Sequence, residues 1–213
     1  MQGLAKQSER MDMKLYYAPG ACSQSPHIAL REAGVDFELE KVDLSSKTTE
    51  RGTDYRKINP RGYVPALELA PGNVLIEGPA IVQYIADQYP AAKLAPPAGT
   101  MERYHLQSWL NFISSEIHKS FGPFFGPRFT DDVKSKFAQH LAQRFAYLQT
   151  HLASQQYLMG DSFSVADPYL FVNLNWVSYA GLDLQQWPAL VDYRNRIAER
   201  PTVQAALQAE GLT

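Results

Sequence analysis

The chain predicts an α/β domain followed by an all-α domain, and three observations carry that reading. Up to Tyr89, short apolar runs alternate with helical stretches. The segment Tyr89-Pro-Ala-Ala-Lys-Leu-Ala-Pro-Pro-Ala-Gly99 then interrupts any regular element, because proline lacks the N–H that helices and central strands need. Beyond it, apolar residues recur only at helical spacing.

In order, Leu15–Tyr17 reads as a strand broken by Ala18-Pro19-Gly20. Pro26–Ala33 is a helix, with Pro26 suited to its first turn, Ser23 or Ser25 as cap, and Gly34 as its stop. Phe37–Val42 alternates as a second strand, and strand–helix–strand favours a parallel pair with a right-handed crossover. Val64–Leu69 and Val74–Ile76 flank the turn Pro71-Gly72-Asn73 as a hairpin, and Pro79–Gln88 is helical through Ile81, Tyr84 and Ile85. The βαβ and ββα units together predict a mixed four-stranded sheet. After the linker, Met101–Phe121, Val133–Leu152, Val165–Ala180 and Leu190–Glu199 read as helices, and Pro201 opens a short last one. Ser164-Val-Ala-Asp167 has the form of a capping box, which makes Asp167 a structural residue. The expected boundaries are a polar extension over residues 1–12, a first domain over 13–89, a linker over 90–99 and a helical domain over 100–213.

Composition narrows the function classes. A net charge of −2 without a Lys/Arg-dense block argues against nucleic acid or anionic membrane as a partner. No apolar run approaches the ~18 residues that span a bilayer. Met1 to Glu9 has no apolar stretch of the kind a secretory signal carries, and Met11 and Met13 offer other starts. With one cysteine there is no intramolecular disulfide and no cysteine-based zinc site, which fits a reducing cytosol. Metal binding finds no support, since His105, His118, His140 and His151 lack ligand spacing.

The one cysteine, Cys22, falls between the first strand and its helix, where unpaired N–H groups and the positive end of the dipole favour thiolate. The alternative is a buried structural cysteine. In Asn59-Pro-Arg-Gly-Tyr-Val64-Pro65, the Val-Pro pair by itself reads as a loop proline ahead of a strand. Ile76-Glu77-Gly78-Pro79 is a strand-to-helix turn, where backbone N–H groups can take a carboxylate and Glu77 an ammonium.

A βαβ unit joined to a ββα unit, with a cysteine after the first strand, is the thioredoxin-like arrangement. With Asn59-Pro-Arg-Gly-Tyr-Val-Pro and Ala18-Pro-Gly-Ala-Cys-Ser-x-Ser-Pro-His27, the chain resembles the glutathione S-transferases, and in particular their bacterial beta class, from about Met13 to Leu212. The resemblance implies a cis bond before Pro65, in a turn that leaves the N–H and C=O of Val64 open to a peptide-like ligand. It also implies Cys22 as the catalytic residue, with Tyr17 and Ser23 in the places that other classes use, and His118 near the thiol. Glutathione, as co-substrate, would meet Lys47, Val64, Pro65, Glu77 and Gly78. Gly78 stands where much of the superfamily has serine, so only its backbone can serve. Asn111, Ser115 or Glu116 would reach a partner subunit's glutathione in a homodimer. The expected co-substrate is a small hydrophobic electrophile or a mixed disulfide, against a wall of Phe121, Phe124, Phe125 and Trp176. The expected activity is conjugation, with thiol–disulfide exchange through Cys22 as a second chemistry. The alternatives are a glutathione-dependent disulfide reductase and a non-catalytic ligand-binding protein.

Overall fold

A computed structural model describes residues 13–212, so the expected extension over residues 1–12 and Thr213 lie outside the described residues. Strand β1 (Lys14–Tyr17) pairs parallel with β2 (Glu38–Asp43), Leu15 opposite Leu39, and helix α1 (Gln24–Glu32) makes the crossover between them. A two-residue strand, β3 (Thr48–Thr49), adds to the outer side of β2. On the other side of β1 lies β4 (Ala66–Ala70), antiparallel, followed by β5 (Asn73–Ile76). The order is β3-β2-β1-β4-β5, five strands rather than the expected four. The extra strand is too short to carry a hydropathy pattern. The first hairpin strand begins at Ala66 and not at Val64, because Pro65 has no N–H to give the ladder.

Helix α2 (Gly78–Gln88) completes the first domain. The second consists of α3 (Met101–Phe112), α4 (Asp131–Leu152), α5 (Ala166–Asn175), α6 (Pro188–Ala198) and α7 (Pro201–Ala209). Helix α1 packs against α2 on one side and against α5 and α7 on the other. One apolar core therefore runs from Leu15, Ile28, Leu67 and Ile85 to Leu106, Phe145, Leu170 and Leu190. The linker is part of it, since Leu94 is buried and its carbonyl accepts from Val165 N–H at 2.9 Å. A smaller cluster of Tyr16, Val42, Tyr55, Val64 and Ala66 forms a second core. Among the described residues no helix is long and apolar enough to cross a membrane.

Two expected helices are divided. Met101–Phe121 stays apolar on one side, with Leu106, Leu110, Ile113, Ile117 and Phe121 all buried. The winding changes beneath that stripe, to a π-turn over Ile113–Ile117 and 3₁₀ turns over His118–Phe124. Pro123 explains the end, since its ring and missing N–H disrupt the α-helical bond four residues back. Val165–Ala180 likewise ends as α-helix at Asn175 and tightens into 3₁₀ turns up to Gly181, which is left-handed at φ 68.

Asp167 is wholly buried and accepts four hydrogen bonds. They come from Leu158 N–H (2.9 Å), Ser164 N–H (2.7 Å), the Ser164 hydroxyl (3.0 Å) and the Tyr193 hydroxyl (2.8 Å). The carboxylate thus joins the loop before α5 to α6, which is more than a helix cap does.

Candidate active site

Cys22 sits in the turn before α1, and the N–H groups of Cys22 and Ser23 point at its sulfur. The thiol donates to the Val64 carbonyl at 3.2 Å, beside a cis Val64–Pro65 bond. The sequence predicts both backbone groups of Val64 to be open. In the structure the thiol takes the carbonyl, and only the N–H lacks an acceptor among the described residues. Part of Cys22 reaches solvent, but its sulfur is enclosed. Burial pushes the thiol up to about 12, against the pull of the two N–H groups and Lys119, and the Glu77 carboxylate pushes in the same direction as burial. Burial thus works against the thiolate that the helix start is expected to favour. Desolvation outweighs the helix terminus.

His118 is half-buried, with Nδ1 at 2.7 Å from the Tyr169 hydroxyl and its ring 5.2 Å from that of Trp176. Burial, and secondarily Lys119, pushes the imidazole down to about 4, so it is neutral at pH 7. Its stabilising contribution is complete above the unfolded value of about 6.5 and is lost as pH falls through about 4. Trp176 donates from Nε1 to the Gly20 carbonyl at 2.9 Å and packs edge-on against the exposed Phe125 at 5.2 Å. Phe121 departs from the expected wall, being fully buried in the core. Phe124 lines a separate shallow pocket with Lys134 and Tyr179. Phe125 and Trp176 remain.

Ser23 offers the sulfur its N–H and not its hydroxyl, which closes the turn through both backbone groups of Ala18, at 3.1 and 3.3 Å. Neither Ser23 nor Ser25 caps α1, and the Ser25 hydroxyl is buried without a partner among the described residues. Tyr17 packs its ring 6.2 Å from His27, and burial pushes its phenol up. Among the described residues, no hydrogen bond or ring contact joins it to Cys22.

Glu77 and Gly78 open α2, with Glu77 exposed at φ 72, a conformation that costs a non-glycine residue about 1–3 kcal/mol. Its carboxylate is bound by Arg61, which the sequence reading overlooked. Lys47 is also engaged, donating to the Gly62 carbonyl at 3.0 Å with its ammonium over the Tyr63 ring. The π-turn separates the remaining candidates. Asn111 and Ser115 are exposed and joined by a 2.9 Å bond from the Ser115 hydroxyl to the Asn111 carbonyl. Glu116 instead faces α4, where Arg144 holds it at 2.7 Å. A cavity of about 850 Å³ between α3 and α4 is lined by Trp109, Phe112, Glu116 and Tyr147 and includes none of Cys22, Val64, Glu77 or His118.

The cysteine loop is clamped from the far end of the chain. Glu210 is buried and accepts from Gly20 N–H at 2.9 Å, from the Gln24 amide at 3.2 Å and from His27 Nδ1 at 2.8 Å. Arg31 Nε donates to His27 Nε2 at 2.8 Å. Arginine has no acceptor, so Nε2 must accept and Nδ1 must carry the proton. The imidazole is thus a neutral relay between a carboxylate and a guanidinium. Reasoning from local patterns missed Tyr169, Lys119, Arg61 and Glu210. Of these only Arg61 lay inside a recognised motif.

An open backbone edge, a cysteine at a helix start and a carboxylate at a second helix start, on a thioredoxin-like sheet with a helical domain beside it, define a thiol-handling site. Residues 20–88 match the family described as "Glutathione S-transferase, N-terminal domain" and residues 112–201 the one described as "Glutathione S-transferase, C-terminal domain". The chain belongs to the glutathione S-transferase family. It is 44% identical to "Glutathione S-transferase GstA" of Escherichia coli O157:H7, over 94% of this chain and all of that one. Among solved structures it is similar to a sphingomonad glutathione S-transferase complexed with glutathione (51% identity, TM-score 0.90) and to the bacterial beta class enzyme of Sphingomonas chungbukensis (49%, TM-score 0.91), each over 94% of this chain and all of the other.

Proposed function

We propose that the protein is a glutathione transferase of the bacterial beta type, which joins the thiolate of glutathione to soft electrophiles. The observation that carries this reading is the meeting of the Cys22 thiol with Val64 at 3.2 Å, beside an N–H open to an added strand. Glutathione would lie along that edge, its γ-glutamyl end at Glu77 and Gly78. Its glycine carboxylate would draw Lys47 from the Gly62 carbonyl. The Cys22 thiol, neutral in the free protein, then acts as a hydrogen-bond donor to the incoming thiolate, together with the N–H groups of Cys22 and Ser23. His118, neutral and held by Tyr169, would become an imidazolium on accepting a proton, a form that its burial disfavours. The electrophile would pack against the pair formed by Phe125 and Trp176. Glutathione-dependent turnover of 1-chloro-2,4-dinitrobenzene tests the reading, and no turnover by folded protein would reject it. A disulfide reductase is less favoured, because a single cysteine leaves no resolving thiol. Faster reduction of a glutathionylated substrate than conjugation would reverse that order.

The same reading includes a two-fold homodimer in a reducing cytosol. Asn111 and Ser115, exposed and unattached to the local site, suit a role across that dimer better than Glu116, which Arg144 holds. Elution as a monomer at micromolar concentration would argue against it.

Two further results are expected. Glu77→Ala weakens glutathione binding by about 1.5–3 kcal/mol, the worth of a charge-assisted hydrogen bond, with the fold intact. Calorimetric titration with unchanged affinity would remove Glu77 from the site. Alkylation of Cys22 by iodoacetamide in ligand-free protein should be slow at pH 7 and rise with pH without levelling below roughly pH 10, because the thiol lies near 12. A plateau at or below the ordinary ~8.5 would show that the helix terminus outweighs desolvation after all.

A further inference from the structure

The γ-glutamyl end of glutathione carries an ammonium and a carboxylate on one carbon, and the site as described answers only half of that pair well. Glu77 suits the ammonium. For the carboxylate, the start of α2 offers few donors. Pro79 has no N–H, and the N–H groups of Ala80 and Ile81 both donate to the Glu77 carbonyl at 3.0 Å. Gly78 N–H alone is left, and Gly78 has no side chain to add a second.

We propose that Arg61 supplies the missing donor, so that Arg61 and Glu77 form a cradle of both signs for the zwitterionic head and make the site selective for a free α-carboxylate. This rests on the reading of Glu77 and Gly78 as the γ-glutamyl site. Arg61 Nη1 bonds Glu77 Oε1, which places the guanidinium at the start of α2. A guanidinium has five donors in a rigid fork, and the side chain makes no other bond among the described residues. Both side chains are about 60% exposed, so a ligand can approach them. The loop that carries Arg61 is braced. Its N–H donates to Asn59 Oδ1 at 3.1 Å, Gly62 N–H to the Asn59 carbonyl at 2.8 Å, and Asn59 Nδ2 to the Tyr63 carbonyl at 2.7 Å. The guanidinium is therefore positioned before the ligand arrives, and the zwitterion would replace a protein ion pair with two ligand ion pairs, its ammonium on Glu77 and its carboxylate on Arg61.

Calorimetric titration of wild type, Arg61→Ala and Arg61→Lys tests this with two ligands that cannot form disulfides. One is S-methylglutathione. The other is its analogue without the α-carboxylate, 4-aminobutyryl-S-methylcysteinylglycine. Arg61→Ala should bind S-methylglutathione about tenfold more weakly while its affinity for the analogue stays the same, and Arg61→Lys should fall between. Gly78→Ser in the Arg61→Ala background should regain part of the loss, because a Cβ at that position meets only Pro65 Cγ, at 3.8 Å. Unchanged or tighter binding of S-methylglutathione by Arg61→Ala would overturn the proposal and make Arg61 a competitor for Glu77. Equal losses for both ligands would overturn it too. A Glu77→Ala variant with full affinity would remove the underlying site reading, and Arg61 with it.

Discussion

Glu210→Ala should lower stability by about 3–5 kcal/mol and take much of the glutathione-dependent activity with it. The carboxylate is the acceptor for Gly20 N–H, the Gln24 amide and His27 Nδ1–H. Truncation leaves those three donors buried without a partner, at about 1–3 kcal/mol each before relaxation. It also separates Arg31 from the negative charge that balances it across His27. The activity loss follows from position. Gly20 is two residues from Cys22, and its N–H and C=O are held by Glu210 and Trp176 respectively. With one clamp gone, the loop that aims two N–H groups at the sulfur loses its anchor. Glu210→Gln is a sharper probe of the same idea. Its amide can still accept from His27, but its NH₂ then meets the Gly20 and Gln24 donors, so a smaller loss of about 2 kcal/mol is expected. Urea denaturation gives the stabilities. A loss under about 1 kcal/mol for Glu210→Ala would show that water replaces the carboxylate.

A comparable loss is expected at Asp167, for the same reason in a different place. Asp167→Ala leaves the N–H groups of Leu158 and Ser164 and the hydroxyls of Ser164 and Tyr193 without their acceptor, in a region closed to solvent. About 3–5 kcal/mol is expected, or roughly 10 °C in melting temperature for a chain of this size. Burial pushes the Asp167 carboxyl up, despite the four donors that pull it down. A raised folded value means that the native state binds the proton more tightly than the unfolded chain, so this group's contribution falls as pH rises from about 3.8 through the folded value. Asp167→Asn removes that charge and keeps one oxygen for Leu158 and Tyr193, so it should cost less than alanine. Equal losses for both variants would mean that shape, and not acceptance of hydrogen bonds, is what Asp167 provides.

Local pattern made most of the frame legible. The 2.0 and 3.6 periods located four strands and most helices, and proline and glycine located the breaks. What escaped depended on residues far apart in sequence, or on a single extra residue in a turn. The π-turn at Ile113–Ile117 hides under an apolar stripe that continues unbroken, so periodicity reports one helix. The clamp on the cysteine loop joins Gly20 to Glu210, and no window of sequence contains both. Cys22 could be placed at a helix start from its neighbours alone. Its protonation could not, because desolvation depends on how the folded chain encloses the sulfur. Arg61 stood inside a motif noted for Val64 and Pro65, but its pairing with Glu77 needs the hairpin to fold back across sixteen residues.

Glu77 has one more consequence, in evolutionary terms. Its positive-φ backbone works against the fold, while its carboxylate is exposed and paired with Arg61. Selection on stability alone would replace it with glycine, which adopts that conformation freely. If Glu77 holds the ammonium of glutathione as proposed, selection for that ligand is what keeps an acidic side chain there. In a lineage that stopped using glutathione, this position should be among the first to drift, and in the direction of a more stable protein. A chain of the same architecture with glycine at that turn would then be read as one that has abandoned the tripeptide, before any loss of the cysteine.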